Sequence, residues 1–119
     1  MTKEEKQLLV KDLCARLPYW VICDMWFEGN ESDKITEVLK CGGLMRLMTS
    51  EYNFIAKPYL RPMSSMTRDE SFELDEILID LDSPSVMMNV IDFYNAHHFD
   101  YHDLIEKGLA IEAPEGMYK

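Results

Sequence analysis

The sequence is short of the features that announce most chemistries. Its three cysteines, Cys14, Cys23 and Cys41, form no Cys-x-x-Cys pair, and an odd number cannot all close into disulfides. That usage fits a reducing compartment. Basic residues are few, 12 against 22 acidic ones, for a formal net charge of −10. Affinity for phosphate backbones comes from Lys and Arg, so nucleic acid is not an expected partner. Anionic membrane surfaces are disfavoured on the same ground. The carboxylates read as spread along the sequence rather than massed, which speaks against mimicry of DNA. No apolar run approaches the ~20 residues that cross a bilayer. Met1 to Val10, with Lys3, Glu4, Glu5 and Lys6, lacks the apolar core of a signal peptide. A cytoplasmic protein is expected. Glycine-rich phosphate loops are missing, since Gly42-Gly43 has no lysine placed as such a loop needs. Ser64-Ser65 lies outside any Gly-x-Ser-x-Gly context.

What is present fits one domain with one core. The 119 residues are 47% apolar, which excludes a disordered chain. Nine methionines are many for this length. Methionine fills irregular gaps in cores and recurs on adaptable binding surfaces.

Thr2 with Glu5 makes a capping box, and Leu8, Leu9, Leu13, Cys14 and Leu17 then return at helical spacing. Pro18 ends that helix, so residues 1–17 are its span. Residues 19–60 read as an antiparallel meander of three or four strands, with a small barrel as one closed form of it. Its strands are Tyr19 to Phe27, Lys34 to Cys41, Leu44 to Met48 and Tyr52 to Leu60, with Gly42-Gly43 as a turn. Pro58 and Pro62 predict that the last strand is an edge or is ending. Residues 67–108 read as a helical portion. Thr67 and Glu70 form a second capping box, although Ile77-Leu78-Ile79 leaves a strand open for residues 68–82. Ser83-Pro84 predicts a helix start, and Tyr101 to Lys107 a further short helix ending at Gly108. Residues 109–119 should be an irregular tail. The fold class is therefore α+β.

All three histidines gather in Asn95-Ala96-His97-His98-Phe99-Asp100-Tyr101-His102-Asp103. Imidazole and carboxylate are zinc ligands, so His97, His98, Asp100 and His102 are the candidate metal set, with Asp82 or Glu106 as further donors. Local physics favours a helix-joining corner instead. Asp100 suits an N-cap, and Phe99 with Leu104 has the spacing of a hydrophobic staple. A helix starting at Asp100 would turn His98 and His102 away from a common face. The cysteines fall on apolar positions, where buried inert thiols are the norm. Tyr19, Trp20, Trp26, Tyr52 and Tyr59 are many aromatics for a small sheet and form a candidate partner surface.

Three phrases resemble a group of small Bacteroides proteins of prophage and mobile-element origin with no assigned activity. They are Asp12-Leu13-Cys14-Ala15-Arg16-Leu17-Pro18-Tyr19, then Lys57 to Thr67 (Lys-Pro-Tyr-Leu-Arg-Pro-Met-Ser-Ser-Met-Thr), and Asn95 through Gly108-Leu109-Ala110 to Glu115-Gly116-Met117-Tyr118. Where such proteins usually show glycine after Pro-Tyr, this chain has Trp20. Residues 24–53 resemble nothing in the group. The resemblance implies no catalytic or binding residue.

The expected function is a non-enzymatic protein-interaction module of prophage or mobile-element origin, with no cofactor and a protein as partner. Self-association is left open. The alternative is a metal-binding protein or metal-dependent enzyme built on His97, His98 and His102.

Overall fold

A computed structural model describes residues 2–49 and 53–118. Helix α1 (Lys3–Arg16) starts at the expected capping box: Thr2 Oγ1 accepts from Glu5 N at 3.0 Å, and Glu5 Oε1 accepts from Thr2 N at 2.8 Å. Strands β1 (Ile22–Phe27) and β2 (Ile35–Val38) form an antiparallel pair. Helix α2 (Cys41–Thr49) follows, then β3 (Phe54–Leu60), α3 (Arg68–Leu78), α4 (Val86–Ala96) and the short β4 (Ile111–Glu112). Strand order is β2-β1-β3-β4, so β1 rather than β2 is interior.

The α+β class holds, and three parts of the expectation are corrected. Leu44 to Met48 is helix, not strand. Leu44 and Leu47 are buried while Met45, Arg46 and Met48 are exposed, a helical rather than alternating pattern. The run contains no β-branched residue, and leucine, methionine and arginine are good helix formers. Gly42-Gly43 therefore lies in the first turn of α2 and makes no hairpin. The sheet is mixed, because β4 runs parallel to β3, and it is open rather than barrel-like. Finally, Tyr101 to Lys107 forms turns and no helix. Asp103 sits at φ 56°, a left-handed conformation that a right-handed helix cannot propagate through.

The tail is more ordered than expected, since Ile111 and Glu112 pair with Tyr59 and Leu60. Pro58 falls where β3 is paired to β1 alone, so its missing N–H costs the ladder nothing on the β4 side. Residues 68–78, which the sequence left open, are helical, with Thr67 and Glu70 exchanging both capping-box hydrogen bonds. Helix α4 begins at Val86, two residues after Pro84.

The core lies between one sheet face and the helices α1 and α2. Phe54, Ala56, Pro58 and Leu60 are buried and alternate with half-buried Ile55, Lys57 and Tyr59. They join Leu9, Leu13, Leu44 and Leu47 from the helices and Leu104, Leu109 and Ala110 from the C-terminal turns. Cys23 is the buried thiol, pushed up to about 12 by desolvation first and by the nearby Asp24 carboxylate second. Cys14 and Cys41 are exposed, contrary to the burial expected of them.

Trp20 ends the turn after α1 in the left-handed region, at φ 59°, ψ 48°, and its side chain is 75% exposed. A side chain with a Cβ is strained there, whereas glycine is not. Trp20→Gly is expected to raise the unfolding free energy by about 1 kcal/mol, because the strain disappears and no buried contact is lost. Urea midpoints of the two proteins check this, and an unchanged or lower midpoint for the variant would refute it.

Candidate functional site

The histidine segment is a corner, and its three rings take three different directions. The corner is zipped to the end of β3: Arg61 N donates to His98 O at 2.7 Å, and Asp100 N donates to Arg61 O at 2.8 Å. His97, at the end of α4, places Nδ1 3.1 Å from Glu70 Oε2 and Nε2 3.4 Å from Glu73 Oε2. His98 adopts φ 62° and stacks on the Tyr118 ring, centroids 3.6 Å apart and planes 14° from parallel. His102 turns back to α1, where its Nδ1 lies 2.8 Å from Asp12 Oδ2. Among the described residues no group of three or more His, Cys, Asp or Glu side chains is placed to hold a metal. His98 and His102 share no helix.

Asp100 does accept from backbone amides, with Oδ1 2.8 Å from Leu104 N and Oδ2 3.0 Å from Ile105 N. These amides lie four and five residues on, so the carboxylate ties a set of turns instead of starting a helix. Phe99 and Leu104 are both fully buried.

Arg16, which the sequence reading passed over, organises the corner. It is fully buried, as is Asp12 one helical turn earlier. Arg16 Nε and Nη2 donate to the two Asp12 carboxylate oxygens at 2.6 and 3.1 Å, and Nη2 also donates to Phe99 O at 2.6 Å. Its guanidinium lies 5.1 Å from the centre of the Tyr101 ring. A second arginine repeats the arrangement at the surface. Arg61 is bidentate to Glu70, both distances 2.7 Å, and sits 4.4 Å over the Phe99 ring. The Arg61 guanidinium holds the Glu70 carboxyl down at about 2, with the Thr67 cap bonds adding to the effect. The signal for Arg16 was available as the four-residue spacing of Asp12 and Arg16.

Tyr118 closes the corner from the tail. Its hydroxyl accepts from Ile22 N at 2.9 Å and donates to Tyr59 O at 2.6 Å, joining β1 to β3. Desolvation raises the phenol above its ordinary value. Arg16, Arg61, the 97–102 turn and Tyr118 thus meet here. Most of the polar groups here hold chain segments together, while Arg16 Nη1 and His98 Nδ1 are buried with no hydrogen-bond partner among the described residues.

The expected partner aromatics are scattered. Trp20 is exposed, whereas Tyr19, Trp26 and Tyr59 are half-buried. Tyr52 lies outside the described residues. Tyr59 OH donates to Asp24 at 2.9 Å, and Thr36 donates to the same buried carboxylate, which fastens β1, β2 and β3 on the outer sheet face. Lys34 Nζ covers the Trp26 ring at 4.5 Å.

Other exposed apolar side chains lie on β2 (Ile35, Val38), on α2 (Met45, Met48) and, in the greatest number, on the α3–α4 hairpin. Ile79 is 80% exposed and Met88 68%, and Phe72, Leu81, Met87 and Ile91 are exposed with them. Helix α3 has no buried residue. The carboxylates are massed here, contrary to the even spread expected: Asp69, Glu70, Glu73, Asp75, Glu76, Asp80, Asp82 and Asp92 stand against Arg68 alone. Apolar residues set among acids at helical spacing were visible in the sequence, but their exposure was not. No helix among the described residues is long and apolar enough to cross a membrane. Comparison of the chain with family models, with curated proteins and with solved structures gives no match.

Proposed function

We propose that the protein is a non-enzymatic interaction module that docks another protein on its α3–α4 hairpin. The observation that carries this reading is the exposure of six large apolar side chains within residues 72–91. Isolated exposed leucines are ordinary, but six large exposed apolar side chains within twenty residues are more than scattered surface residues supply. The shape agrees: the radius of gyration is 15.3 Å, against ~13.5 Å for a rounded domain of this length. The three phrases of the resemblance are the support for an origin in a prophage or mobile element. The metal-binding alternative gains no support from the geometry, because His97, His98 and His102 each face a different neighbour.

The test is crosslinking in the native host with a photoreactive residue at Ile79 or at Met88, and at exposed Lys3 on α1 as control. Both hairpin positions should give one adduct of the same mass, and Lys3 none. No adduct at either hairpin position, or equal labelling at Lys3, overturns the docking role.

A further inference from the structure

The hairpin carries enough detail to say what kind of partner its first helix suits. Phe72, Asp75, Glu76 and Ile79 follow i, i+3, i+4, i+7 spacing and are all exposed, so they share the outer face of α3. The inner side is taken by half-buried Leu74, Ile77 and Leu78, with α4 packed against the helix. Two apolar side chains two turns apart, with two carboxylates between them, are what remains for a partner.

We propose that this face binds a basic amphipathic helix of another protein, its apolar residues meeting Phe72 and Ile79 and its lysines or arginines meeting Asp75 and Glu76. The assignment rests on the reading of the hairpin as a docking element. Charge selects among the possible occupants. A second copy of this chain would set an acidic hairpin against an acidic hairpin, and like charges brought together at an interface oppose association. Nucleic acid and anionic lipid are repelled by the same carboxylates. An extended peptide would need an unpaired strand edge to add to, which a helix does not offer. A helix lying along α3 uses ridge-and-groove packing for its apolar residues and brings cations to the flanking acids.

The experiment measures binding to the full chain by fluorescence anisotropy, with three synthetic peptides of about 18 residues, roughly five helical turns. One is an amphipathic helix of leucine and lysine, the second the same pattern in leucine and glutamate, and the third is oligolysine. Only the leucine–lysine helix should bind. Its affinity should fall at least ~10-fold between ~0.05 and ~0.5 M salt, over which screening of exposed charges becomes nearly complete. The double variant Phe72→Ser, Ile79→Ser should weaken it by a similar factor, as should Asp75→Asn with Glu76→Gln, which keeps side-chain volume. All four positions are exposed, and unchanged far-ultraviolet dichroism checks that the variants fold. Equal binding of oligolysine, or affinity indifferent to Phe72→Ser with Ile79→Ser, overturns the proposal in favour of bulk charge attraction. Crosslinking at Ile79 combined with no binding of the leucine–lysine helix overturns the partner class and leaves the docking role standing. Failure of both overturns both.

Discussion

Replacing Arg16 with methionine is expected to lower the unfolding free energy by about 3–5 kcal/mol, the cost of leaving one member of a buried ion pair alone. Arg16 and Asp12 are both fully buried, so water cannot take over when the guanidinium is removed. The Asp12 carboxylate would keep only the half-buried His102 ring beside it, and Phe99 O would lose its side-chain donor. Methionine keeps most of the apolar stem, so the loss measures charge and hydrogen bonding rather than volume. The companion variant Asp12→Leu, Arg16→Met removes both charges and should recover part of the loss, because no buried charge is left alone although Phe99 O and the His102 ring still lose their partners. Urea unfolding of the wild type, the single and the double variant decides it. A double variant less stable than Arg16→Met would show that the pair contributes through its shape and not through its charges.

The sequence was most informative where one local interaction decides the outcome. Thr2 with Glu5 and Thr67 with Glu70 are short-range devices, and both helices start where those residues put them. The segment Leu44 to Met48 misled because an apolar run of that length fits a strand or a helix, and Gly42-Gly43 weighted it toward a turn. What settles it is tertiary: one side of the run, Leu44 and Leu47, is buried and the other exposed. The segment 100–107 failed differently. Asp100 does bind free amides as a cap should, yet the left-handed backbone at Asp103 stops the chain from winding into a helix. Strand order was out of reach as well. The two-residue β4 pairs with β3 from 52 positions away in the chain, and so short a strand has no periodicity to detect. In the candidate site, Arg16, Arg61 and His98 are far apart in the sequence and come together only through the fold, which no local pattern announces.

The same corner gives the chain a pH dependence that begins well above the range where its carboxylates titrate. Burial, then the positive charges of Arg16 on α1, His97 at the end of α4 and Arg61 just after β3, lower His98 from its ordinary 6.5 to about 4. Tyr118 covers its ring, and Nδ1 is buried with no hydrogen-bond partner among the described residues. In the unfolded chain the imidazole takes up its proton near pH 6.5, while the folded protein resists doing so until about pH 4. Between those values the unfolded state binds more protons, so stability is complete at neutral pH and is lost as pH falls from 6.5 towards 4. The loss should be about 2 kcal/mol, below the full 1.36 kcal/mol per unit because solvent screens part of the effect of the surrounding cations. The carboxylate best placed to contribute, Glu70, is held at about 2 and acts lower, between its ordinary 4.5 and that value. His98→Asn separates the two, since asparagine tolerates the left-handed backbone at this position and carries no titrating ring. Its stability, whatever its absolute level, should lose less than the wild type's between pH 6.5 and about 4.5. Unfolding free energies measured at half-unit steps would show it, and a slope in the variant equal to the wild type's would move the origin of the pH dependence away from His98.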